Sequence, residues 1–177
     1  MASTHYPFSI SRARELVSPS TRTLSIPRLT TLVAAAVIAT GAASTASAAS
    51  TADGEALFGS NCVACHQATG AGIPNLFPPL DGSEWVAMDA RVISNILLHG
   101  IDGEITVKGA TYKGMMPSFG DKFSDDEIAA IATYVRSAWS NTSGPVDANL
   151  VAAERKAGSR TTPFAGGAEL KELAGKP

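Results

Sequence analysis

The chain has 177 residues, of which 45% are hydrophobic, 6% aromatic and 17% charged, with a net charge of −2. That length allows one ordinary domain with some extra segments. A balance this close to zero, and acidic in sign, excludes nucleic-acid binding through a basic surface.

The charge is unevenly spread. Residues 1–48 hold four arginines (Arg12, Arg14, Arg22, Arg28) and a single acid, Glu15, so the remainder holds ten basic and fifteen acidic residues, a net of −5. Residues 1–28 are polar and rich in Ser and Arg, Leu29 to Ala43 form an apolar run, and Ala46-Ser47-Ala48 has the spacing of small residues that a signal peptidase reads. The run is shorter than the roughly 20 residues a helix needs to cross a bilayer. Segment 1–48 is therefore expected to be an export signal, cut after Ala48, that delivers the mature chain to the periplasm and leaves it without a membrane span. No Arg-Arg pair precedes the apolar run and no cysteine stands at the cut. General export of an unfolded chain is expected, and a lipid anchor is not.

Asp53 to Asn61 is predicted as a short helix, with Leu57 and Phe58 as its apolar side, and it leads straight into Cys62-Val63-Ala64-Cys65-His66. C-x-x-C-H is the attachment motif for c-type haem. Each thiol adds to one vinyl group of the porphyrin, and the two-residue gap matches the separation of those vinyls. The histidine that follows meets the iron from one face. A redox-active cysteine pair would need a thioredoxin-like βαβ setting, whereas this one follows a helix and precedes a loop rich in Gly and Pro. A structural zinc ion would need four ligands, and beyond residue 48 the only soft ligands besides methionine are Cys62, Cys65, His66 and His99. One covalently bound haem c is expected.

Residues 67–82 carry too many Gly and Pro for regular structure. Asp89 to His99 is predicted as a second helix: Asp89 is its N-cap, Val92, Ile93, Ile96 and Leu97 fall on one face, and Gly100 ends it. Ile105–Val107 and Ala110–Tyr112, joined by Lys108-Gly109, predict a small hairpin, with an irregular loop as the alternative. Next comes Met115-Met116-Pro117-Ser118-Phe119-Gly120. Met116 is the candidate for the second axial iron ligand, because a thioether suits a low-spin iron and raises its reduction potential, and Pro117 holds the backbone before it extended. Met115, Met88 and His99 are its rivals. Ser124 to Trp139 is predicted as the last helix of the domain. Ser124 and Glu127 make a capping box, and Phe123 with Ile128 makes a hydrophobic staple. Its apolar face is Ile128, Ile131, Ala132, Val135 and Trp139. The domain is expected over residues 49–141, and residues 142–177 as a C-terminal tail that lies over the domain or a partner, with disorder as the alternative. Within the tail, short helices are predicted over 147–156 and 168–173.

These residues resemble the class I cytochromes c. Gly54-Glu55-Ala56-Leu57-Phe58 is similar to the family's first-helix pattern and Ile131-Ala132-Thr133-Tyr134 to that of the last helix. The resemblance implies an all-α class I cytochrome c fold, here with a small hairpin before the methionine loop. It also implies a crossing of the two helices built from Gly54, Phe58, Ile131 and Tyr134. It further implies that the carbonyl of Pro78, or else of Pro79, accepts a hydrogen bond from His66. A narrower likeness rests on Gly72-Ile73-Pro74, Phe77-Pro78-Pro79-Leu80, Gly82-Ser83, Tyr112 to Pro117, and, in the tail, Arg155, Arg160, Pro163-Phe164 and Glu169-Leu170. It points to the monohaem cytochromes that accompany periplasmic quinoprotein (alcohol) dehydrogenases, and to the haem domain fused to some copper nitrite reductases.

The function expected is outer-sphere electron transfer by a carrier that is not an enzyme, with a dehydrogenase as donor and an oxidase or second cytochrome as acceptor. Few lysines and a net of −5 predict docking by apolar contact around the haem edge, with Ile73 and Phe77 beside it, or against a basic partner. The rivals are a haem enzyme or gas sensor, which need an open iron site, and a fixed subunit of a respiratory complex.

Overall fold

The structure, a computed structural model, describes residues 51–158 and 160–175. The predicted export signal and its cleavage site lie outside those residues. Helix α1 (Thr51–Asn61) runs into a one-turn helix α2 (Val63–His66). Its counterpart is α5 (Asp125–Ser137). The Ser124 hydroxyl accepts from the Glu127 amide at 3.3 Å, and the Glu127 carboxylate accepts from the Ser124 amide at 2.8 Å. Two N-terminal donors are thereby satisfied. The helices meet at Gly54, where a Cβ would stand 2.1 Å from the Ala130 carbonyl oxygen and 3.0 Å from Tyr134 Cβ. No side chain larger than hydrogen permits that approach. One turn on, the Phe58 ring lies 5.4 Å from that of Tyr134 and 5.5 Å from that of Trp139. Ile131, 1% exposed, packs in the same apolar cluster.

Two further helices follow: α3 (Glu84–Ala87), a single turn that the sequence reading did not anticipate, and α4 (Ala90–His99). Asp89 caps α4 by accepting the Arg91 amide at 2.8 Å, and Gly100 ends it. The apolar face of α4 serves two cores. Ile93 and Leu97 join Phe58, Ile128 and Ile131, while Val92 joins Trp85, Ile101, Phe164 and Leu170.

The hairpin is longer than predicted. Strands β1 (Ile101–Val107) and β2 (Ala110–Met116) pair in unbroken antiparallel register from Ile101 opposite Met116 to Val107 opposite Ala110. Lys108 and Gly109 both take positive φ, 50° and 78°, as a two-residue hairpin turn requires. Ile101, Ile105 and Val107 are buried and alternate with less buried neighbours. A third strand, β3 (Phe164–Gly166), pairs parallel to β1, giving the order β2-β1-β3. The expectation of an all-α domain is amended accordingly: the helical frame carries a three-stranded sheet. Parallel pairing between residues some sixty positions apart leaves no local pattern in either segment.

The C-terminal residues supply α6 (Ala148–Ala157), β3 and α7 (Gly167–Ala174). Helix α6 packs against α4 and α5 with Val151 fully buried, and α7 against α4 and β1 with Leu170 fully buried. Arg155 ties α6 to the start of α5, donating to Asp125 at 2.7 Å and to the Phe123 carbonyl at 2.9 Å.

Candidate cofactor cleft

A single turn of helix brings the chemistry together. The amides of Cys65 and His66 both donate to the Cys62 carbonyl, at 3.1 and 2.9 Å. Residues i, i+3 and i+4 share one face of a helix, so Cys62, Cys65 and His66 all line the same cleft. Both thiols are free of any disulfide, Cys62 buried and Cys65 half-buried. Burial, then the neighbouring Cys65, push the Cys62 thiol up to about 11, against a smaller opposing pull from Lys122. That is the environment of a protonated thiol, opposite in direction to the lowered pKa of the attacking cysteine in a redox-active pair.

His66 is 8% exposed, and its Nδ1 lies 3.0 Å from the Pro78 carbonyl oxygen. A carbonyl only accepts, so Nδ1 carries the proton and Nε2 keeps its lone pair. Burial depresses the imidazole pKa and the bond to Pro78 partly restores it. The ring is therefore neutral at pH 7, in the state that ligates a metal. Such a bond orients a ligating imidazole and raises its basicity.

Met116, the last residue of β2, is half-buried and lines the cleft together with Pro117 and Phe119. It touches both apolar clusters, so the cleft lies between the two cores. Met115 is turned outward, 66% exposed at the rim. Neither remaining rival reaches the cleft. Met88 packs against the second core, and His99 lines a separate cavity with Arg155 and Arg160. The rest of the wall is mainly apolar, from Phe58, Leu80, Ile93, Leu97 and Ile131, with Asn61 and Ser83 as polar members. A flat apolar macrocycle with a central metal fits this set: two free thiols and a neutral imidazole on one wall, a thioether on another, hydrocarbon between.

Sequence reasoning missed two contributors. Trp85 forms part of the wall, its indole nitrogen donating to the Thr106 carbonyl at 2.7 Å. Leu76, 56% exposed, stands at the mouth. Phe77 lines the cleft as expected of a neighbour of the haem edge, whereas Ile73 does not and instead closes a small bridge with Phe77. Trp85 sits in a region without periodic pattern, so no signal in the sequence marked it.

Residues 49–135 match the protein family described as cytochrome c oxidase, cbb3-type, subunit III. Cytochrome c-552 of Thermus thermophilus is 41% identical over 92 residues, half of this chain and 69% of that protein. Chloroplastic cytochrome c6 of Chlamydomonas reinhardtii is 33% identical over 124 residues, 67% of this chain and 70% of that protein. The cytochrome c subunit of the quinone-dependent alcohol dehydrogenase of Gluconobacter oxydans is 30% identical over 102 residues, of which this chain spans only 21% of the length. With the helix crossing, the attachment turn and the apolar cleft in place, these likenesses make the chain a member of the class I c-type cytochromes, an electron carrier with covalently bound haem c.

Proposed function

We propose that the protein is a periplasmic one-electron carrier in which Cys62 and Cys65 hold the haem through thioethers and His66 and Met116 are the axial ligands. The observation that carries this is the pairing of a neutral, Pro78-oriented His66 with Met116 on another wall of one apolar cleft. The bound haem supplies a single-electron couple. The protein contributes a site in which neither axial group has to be recruited. Pro78 sets the tautomer and angle of His66, the register of β1 with β2 sets the height of Met116, and the surrounding hydrocarbon excludes water. No Asp, Glu, Lys or Arg lines the cleft among the described residues; of the titratable side chains that do, His66 takes the axial role and Cys62 and Cys65 the thioethers, which leaves Tyr112 alone, so a carrier is favoured over an enzyme or sensor. Ferrous protein at neutral pH is expected not to bind carbon monoxide. Ready binding would replace this reading with that of an open-site enzyme or sensor.

The partners inferred are a periplasmic dehydrogenase with a quinone cofactor as donor and an oxidase or second cytochrome as acceptor. Support comes from the names of relatives that are dehydrogenase subunits. The exposed Leu76 and Met115 at the cleft mouth give such a partner an apolar landing point. Among the described residues no helix is long and apolar enough to cross a membrane, and export rests on the composition of residues 1–48.

A further inference from the structure

We propose that Gly100 is a positioning residue for the axial methionine, its missing side chain being what lets the Met116 loop lie against the end of α4. This deepens the reading of Met116 as an iron ligand and rests on it. Gly100 has φ 76° and ψ −179°, a combination that residues with a Cβ essentially do not adopt. A Cβ there would stand 2.4 Å from the Met116 carbonyl oxygen and 2.9 Å from both the Pro117 carbonyl carbon and the Ser118 nitrogen. All three are backbone atoms of the loop, with no flexible end that could swing aside.

The contact lies at the centre of a web. The Gly100 amide donates to the Ile96 carbonyl at 2.8 Å, closing α4. Its carbonyl accepts from the Phe164 amide at 3.0 Å, anchoring the C-terminal strand. The next residue, Ile101, is the sheet partner of Met116. Beyond the loop, the Phe119 amide donates to the Leu97 carbonyl at 2.8 Å. Residues 116–119 are thus pinned at both ends across the last turn of α4, with Gly100 directly beneath. A side chain at position 100 has to lift the loop, and Met116 goes with it. A thioether bond to iron tolerates little displacement, because the thioether is a neutral ligand competing with water.

Gly109 provides the control. It too has positive φ, 78°, but a Cβ there meets nothing within 4 Å. Gly109→Ala therefore carries the backbone penalty without the collision. In holoprotein, Gly100→Ala is expected to lose the near-infrared sulfur-to-iron band of the ferric form and to lower the reduction potential while keeping its helical circular dichroism. Gly109→Ala is expected to melt lower yet keep band and potential. Gly100→Ala with unchanged band and potential, or Gly109→Ala with an equal loss, overturns the inference. Met116→Ala in parallel separates the two levels: if it leaves the wild-type band in place, the axial assignment itself has failed. Should Gly100→Ala yield no holoprotein, the wild type decides under mild urea. The band and the hydrogen-exchange protection of the Gly100 amide are expected to vanish together, and a band lost while that amide stays protected refutes the link.

Discussion

At the scale of single residues, the cleft is defined by side chains whose neighbours fix their chemical state. Burial favours the neutral ring of His66, and the Pro78 carbonyl assigns its proton to Nδ1. Met116 and Met115 are adjacent in sequence and differ in exposure because successive residues of a strand face opposite sides. Met116→Ala is expected to abolish the sulfur-to-iron band and lower the potential, and Met115→Ala to leave both intact; absorption and potentiometry on the two ferric variants check it. An exchange of the two phenotypes would move the ligand by one residue. Attachment has its own test. Haem that is extracted by acid acetone and gives a b-type pyridine haemochrome would exclude thioethers at Cys62 and Cys65.

At the scale of elements, α5 and the seam between α4 and the C-terminal strand offer separate tests. Ser124→Ala removes the capping box of α5 and is expected to cost about 0.5–2 kcal/mol of stability, read from denaturant unfolding. His99 ends α4 with its ring 6.1 Å from that of Phe164, and its Nε2 is the one buried side-chain polar atom without a partner among the described residues. Burial, then Arg160 and Arg155, hold its pKa below the usual histidine value, against a smaller opposing effect of Glu154. A histidine depressed in the folded state binds its proton more readily when unfolded. Stability is therefore fully present above the unfolded value of about 6.5 and is lost as pH falls from there through the folded value. The melting temperature of the holoprotein is expected to drop between pH 7.5 and 5.5, and that drop to shrink in His99→Phe. Equal pH dependence in both proteins would remove His99 from the account.

At the scale of the whole molecule, the C-terminal residues complete the second core. Leu170 is fully buried beside Trp85 and Val92, and Trp85 is part of the cleft wall. Leu170→Ala is expected to cost about 2–5 kcal/mol, the usual range for deleting a buried leucine side chain; a loss under 1 kcal/mol would mean that α7 packs only loosely. Charge enters at the same scale. The fifteen acids beyond residue 48 form no block, while Leu76 and Met115 are exposed at the cleft mouth. Stopped-flow reaction with a quinone-dependent dehydrogenase is expected to be nearly flat in ionic strength. A steep fall with salt would instead show steering by charge.

The sequence by itself determined what depends on short-range chemistry. The attachment turn, the capped helices and the Lys108-Gly109 turn are each written within a few neighbouring residues, because a helical turn, a capping box and a two-residue hairpin close over that distance. The helix crossing at Gly54 was legible only through resemblance. The tertiary structure decided what depends on distant partners. It extended the hairpin to Ile101 and Met116, added β3 from sixty residues away, brought Trp85 and Leu76 to the cleft, and placed His99 outside it. Parallel strand pairing and burial are set by segments that meet only after the chain has folded, so no periodicity in either segment announces them.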